Sequence, residues 1–149
     1  MNQNINVHIV LENPSKAVVF GLQKGSGNQY ETVQKQLFEG QNLHFECTIV
    51  VKKTSDAIVP DFSSPYVQGN KNERFIYLDI GKAAGQCDTI WSRRLKIPLR
   101  GITWEMVQTC LSNADNVLET HVAGIGKDGG PNCGTVKPFD GWQLKKITQ

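Results

Sequence analysis

Leu43-His44-Phe45-Glu46-Cys47-Thr48-Ile49-Val50-Val51-Lys52 alternates without a break. Leu43, Phe45, Cys47, Ile49 and Val51 fall on one side, His44, Glu46, Thr48, Val50 and Lys52 on the other. Successive side chains of a strand point to opposite faces, so this stretch reads as a strand with one buried and one wet face. That is the habit of an antiparallel sheet. The same period runs from Asn4 to Leu11, with Ile5, Val7, Ile9 and Leu11 together and Asn6, His8 and Val10 opposite. It returns from Ile90 to Leu99, where Trp91, Arg93, Leu95, Ile97 and Leu99 share a face and Ser92, Arg94 and Lys96 lie on the other. Pro98 puts the end of that strand at an edge or a bend.

Between these anchors, Ala17 to Gln23 reads as a short strand and Gly25-Ser26-Gly27-Asn28 as a loop or hairpin tip. Tyr30 to Phe38 leans only slightly towards strand. Lys53 to Asn72 loses all periodicity and reads as a long loop, beyond the ~12–15 residues usual for structureless connections. Arg74 to Ile80 is apolar on both sides and reads as a central strand covered on both faces. Thr103 is an N-cap for a helix from Trp104 to about Asn113, with Glu105 near its positive end and Trp104, Val107, Cys110, Leu111 and Ala114 on one side. Val117 to Ile125 and Cys133 to Lys137 read as two strands joined through a hairpin signal at Asp128-Gly129. Trp142 and Leu144 dock the tail. The expected architecture is mainly β, a two-layer antiparallel sandwich or partly closed barrel with one short helix. The alternative is an α+β arrangement with the helix on an open antiparallel sheet.

The 149 residues fit a single domain, 1–149, which should bury roughly 68–70% of the unfolded chain's surface. Hydrophobic residues make up 39% and charged residues 20%, which excludes a disordered chain. A net charge of +2 and a pI near 8.3 are too mild for a nucleic-acid partner. No apolar run approaches the ~20 residues that span a bilayer, and the polar N-terminus lacks the pattern of a signal peptide. The expectation is a cytoplasmic protein, monomer or homodimer, that does not bind membranes.

Of the four cysteines, Cys47 and Cys110 lie on apolar faces and read as buried, reduced thiols, whereas Cys87 and Cys133 fall in turn-like stretches that could meet. Zinc-type spacing is missing, so neither metal nor cofactor is expected. The three histidines, His8, His44 and His121, are far apart in sequence. His8 and His44 share the outward sides of their strands, and the three together read as solvated strand residues rather than a metal or acid–base site.

The candidate binding residues come from two features. The aperiodic stretch holds Asp61, Tyr66 and Gln68, mixing acidic, aromatic and amide groups of the kind that loops on rigid sheets present to ligands. Arg74 and Arg93 bring planar guanidinium forks, which bind carboxylate or phosphate bidentately. Arg93, on the apolar face of its strand, needs an acceptor, and Asp61, Asp79 and Asp128 are the candidates. A site would form where the loop of Asp61, Tyr66 and Gln68 meets Arg74, Arg93 and the Asp128 turn, and a small anionic ligand would suit it.

Val19-Phe20-Gly21-Leu22-Gln23, Pro65-Tyr66-Val67-Gln68-Gly69, Arg74-Phe75-Ile76-Tyr77-Leu78, Arg93-Arg94-x-Lys96 and Asp128-Gly129-Gly130-Pro131-Asn132-Cys133 occur in this order. So arranged, the chain resembles an uncharacterised bacterial family, a domain of unknown function, over nearly its whole length. The resemblance implies a bacterial origin and carries over no catalytic residue. The leading functional expectation is a non-catalytic binding or interaction module. The others are a small metal-independent enzyme with an Asp61 or Asp128 base and an Arg93 anion site, and a structural protein that dimerises through a sheet edge.

Overall fold

The computed structural model describes residues 3–12, 17–25, 29–32, 35–38, 40–52, 60–70, 73–82, 92–123 and 141–146. These form two sheets packed as a sandwich, with no closed barrel among the described residues. The first sheet runs β11 (Gln143–Lys146), β10 (Asn116–Ala123), β1 (Gln3–Glu12), β5 (Leu43–Lys52), β6 (Asp61–Ser63). The β1–β5 register sets Ile5 against Ile49, Val7 against Cys47 and Ile9 against Phe45. Because the side-chain period is two, that register turns both apolar sets inward together; a slip of one residue would turn both out.

One pairing departs from the antiparallel expectation: β1 and β10 are parallel, with Val7 opposite Leu118. A parallel neighbour needs a long crossover, and here it carries the chain through the second sheet and the helix before it returns.

The second sheet runs β3 (Gln29–Tyr30), β2 (Ala17–Lys24), β8 (Glu73–Lys82), β7 (Val67–Asn70), with β4 (Lys35–Leu37) on β2 and β9 (Ser92–Pro98) on β8. Strand β9 ends at Pro98, as the proline requires. On β8, Ile76 and Leu78 are buried but Phe75 and Tyr77 are only half-buried, so one face of this strand is covered fully rather than both. The expected long loop contains two strands, β6 and β7. At three and four residues they are too short to show a period.

The helix α1 (Trp104–Ser112) starts as expected at Thr103, whose hydroxyl accepts from the Met106 amide at 3.2 Å. It buries Val107 and Cys110 in a core that joins Val7, Ile9 and Leu118 of one sheet to Leu22, Ile76 and Ile97 of the other. Trp142 docks the tail, its indole N–H donating to the Pro98 carbonyl at 2.9 Å, but Leu144 is exposed. Cys47 and Cys110 are buried and unbonded. Cys87, Cys133, the strand expected at Cys133–Lys137 and the Asp128 turn lie outside the described residues. Among the described residues no helix is long and apolar enough to cross a membrane.

Candidate functional site

Four of the residues singled out in the sequence gather where the two sheets meet. Arg74 of β8 reaches Asp61 of β6, Nε to Oδ1 at 3.2 Å, and its Nη1 donates to the Gly69 carbonyl at 2.9 Å. The Asp61 carboxylate also accepts the Phe62 amide at 3.0 Å. Gln68 donates from Nε2 to the Gly25 carbonyl at 2.9 Å, and the Tyr66 hydroxyl donates to Glu31. Each of these side chains thus has a partner within the protein. Arg93 holds the register position opposite Ile80, with its side chain outside the described residues, and Asp128 lies outside them altogether. Asp79 accepts the Tyr30 hydroxyl at 2.8 Å.

The outer face of the five-stranded sheet brings together residues the sequence reading kept apart. Register sets His8 between Glu46 on β5 and Glu119 on β10, and Val10 in the next row between His44 and His121. All three histidines of the chain therefore share one face. At its centre is Glu119, whose side chain is only 7% exposed. Its Oε1 meets His121 Nε2 at 2.8 Å and the Lys145 ammonium at 3.1 Å, while Oε2 lies 3.3 Å from His8 Nδ1. His121 Nδ1 faces Glu12 at 2.8 Å, and the His8 and His44 rings lie 5.5 Å apart.

Burial pushes the Glu119 carboxyl up, but hydrogen bonds and charge from His121 and Lys145 outweigh it, so the group stays below its ordinary value. The Glu119 hydrogen bond raises His121, burial opposes it, and Glu12 adds to the rise. With a carboxylate against each ring nitrogen, His121 is held towards its protonated form, since a carboxylate only accepts. Sequence reasoning passed over Glu119 because the neighbours that define it come from β1 and β11. The available signal was the polar series Glu119 and His121 alternating with apolar residues in a late strand.

Beside this network a groove of about 580 Å³ is lined by Asn6, Val7, His8, Glu46, Cys47, Thr48, Tyr66 and Val117. That volume falls in the ordinary range for small-molecule sites. Thr48 Oγ1 donates to Asn6 Oδ1 at 3.0 Å. Burial, with the charge of Glu31, pushes the Cys47 thiol up to about 12. The Tyr66 phenol is pushed up to about 12 as well, by burial and its bond to Glu31. Among the described residues no three His, Cys, Asp or Glu side chains are placed to hold a metal ion.

Residues 5–145 match the model of a family of unknown function, DUF5990. Over 70 residues the chain is 31% identical to the ornithine carbamoyltransferase of Buchnera aphidicola subsp. Schizaphis graminum. That stretch is 47% of this chain and 20% of that protein, so the match spans about a fifth of the relative's length. No solved structure matches the chain.

Proposed function

The chain belongs to a family of unknown function, DUF5990, and from its geometry we propose a non-catalytic binding module that takes a small polar ligand in the groove at the β1–β5 pair. The observation that carries this reading is the groove itself, about 580 Å³ with hydrogen-bonding side chains from adjacent strands along it. Its chemistry favours binding over covalent catalysis. Cys47 is held as a thiol, and the Thr48 hydroxyl donates to an amide oxygen rather than to a base that would activate it. The loop around Arg74 serves less well, because its guanidinium is already engaged by Asp61 and the Gly69 carbonyl. A bacterial, cytoplasmic setting is part of the same proposal, supported by two buried cysteines that remain unpaired, in keeping with a reducing compartment.

The test is an amide chemical-shift titration with ethanolamine, ethylene glycol and glycolate, which match in size and differ in charge. Saturable shifts at Asn6, His8, Glu46 and Thr48 with at least one probe are expected. Shifts confined to the Asp61–Arg74 region, or none up to about 10 mM, a range that covers millimolar Kd values, would sink the reading.

A further inference from the structure

We infer that the ligand of this groove is an uncharged polyhydroxyl compound, a sugar or cyclic polyol, held across Asn6, Thr48 and Glu46; the inference rests on the binding reading above. These three side chains share the outer face of the β1–β5 pair, where register sets Asn6 against Thr48 and His8 against Glu46. Thr48 Oγ1 donates to Asn6 Oδ1 at 3.0 Å. A hydroxyl has one proton, so Oγ1 is left with lone pairs to offer, while the Asn6 side-chain amide keeps two N–H donors. Among the described residues none accepts from that amide. A donor and an acceptor therefore stand side by side, fixed by the bond between them. A ligand hydroxyl answers both, because it accepts through its oxygen and donates through its proton.

Glu46 lies two residues from Thr48 on the same face, roughly 7 Å along the strand. Its side chain is 80% exposed, and a carboxylate has lone pairs to spare beyond the one that faces His8. That spacing exceeds the reach of a vicinal diol and suits hydroxyls on opposite sides of a six-membered ring. Val117, on the same face of β10, lines the groove with apolar surface for the C–H edge of such a ring. The charges argue against an ion. Glu119 Oε1 is met by Lys145 at 3.1 Å and by His121 at 2.8 Å, and Glu12 is met by His121 at 2.8 Å. The His8 ring lies between Glu46 and Glu119, at 3.8 and 3.3 Å. Glu12, Glu46 and Glu119 thus each already face a lysine or a histidine. An ionic ligand would have to shed its hydration to compete with those contacts, whereas a hydroxyl needs none of them broken.

Amide chemical-shift titrations with glucose, glucosamine and glucuronate decide it, since the three share a ring and differ in charge. Glucose should shift Asn6, Glu46 and Thr48 with the tightest Kd of the three. It should bind about fivefold more tightly than ethylene glycol, the size of one further neutral hydrogen bond. Its Kd should hold steady from about 20 mM to about 500 mM salt, because screening acts on charges. Thr48→Val keeps the β-branched shape and removes the acceptor. It should weaken glucose about fivefold at an unchanged thermal midpoint, and Thr48→Ser should restore the affinity. Equal or tighter binding of glucosamine or glucuronate at these residues overturns the polyol inference and leaves the binding reading standing. So does a glucose Kd that rises with salt, or a Thr48→Val protein that binds glucose like the parent. No groove shifts with any of these sugars or the three smaller probes overturn both.

Discussion

Arg74 ties one sheet to the other, since its partner Asp61 sits on the edge strand of the facing sheet. Both side chains are about a quarter to a third exposed, which screens their attraction but leaves hydrogen bonds to lose. Arg74→Ala is therefore expected to lower stability by about 1–2 kcal/mol. The more exposed pair Lys96–Glu73, at 2.7 Å, should give about 0.5 kcal/mol or less on Lys96→Ala. Urea midpoints at unchanged slope measure both, and equal midpoints would mean that the Arg74–Asp61 contact contributes nothing to holding the sheets. Asp61 and Arg74 were each legible as charged candidates, but Asp61 was expected as an acceptor for Arg93, and its pairing with Arg74 comes only from the meeting of β6 and β8. Glu119 was not legible, because its meaning comes from neighbours on strands more than a hundred residues apart.

Among the elements, β2 carries a bulge between Val19 and Gly21, where its register on β8 shifts. Gly21 has φ +121°, and a Cβ there would stand 2.0 Å from the Thr32 carbonyl oxygen. Only glycine fits that conformation and that approach. Gly21→Ala should cost about 3 kcal/mol or more, from backbone strain plus the displaced Thr32 segment. A thermal midpoint within a degree or two of the parent would refute the bulge. Nothing in the alternation of Ala17 to Gln23 announced it. The helix was legible almost to the residue, because a cap and a 3.6-residue period are both local. The short strands β6 and β7 were not, since three or four residues held by pairing partners show no period of their own. The parallel β1–β10 pair was equally hidden, because strand order depends on contacts across the whole chain.

At the scale of the molecule, the sandwich uses one face of the β11-β10-β1-β5-β6 sheet for the core and leaves the other to histidines and glutamates gathered around Glu119. The network carries a pH signature. His121 binds its proton more tightly folded than unfolded, so its contribution is complete below its ordinary value of 6.5 and is lost as pH rises through the raised folded midpoint. Glu119 is the reverse case: its contribution is present above 4.5 and is lost as pH falls through its lowered midpoint. Stability from this face is therefore greatest between those two values. Strand register thus joins these side chains at one buried carboxylate. A proton NMR titration of the His121 ring, in the wild-type protein and in Glu119→Gln, tests it most directly. A wild-type midpoint above 6.5 that falls in the variant is the predicted result. A wild-type midpoint at or below 6.5, or one that does not move when Glu119 loses its charge, would contradict it.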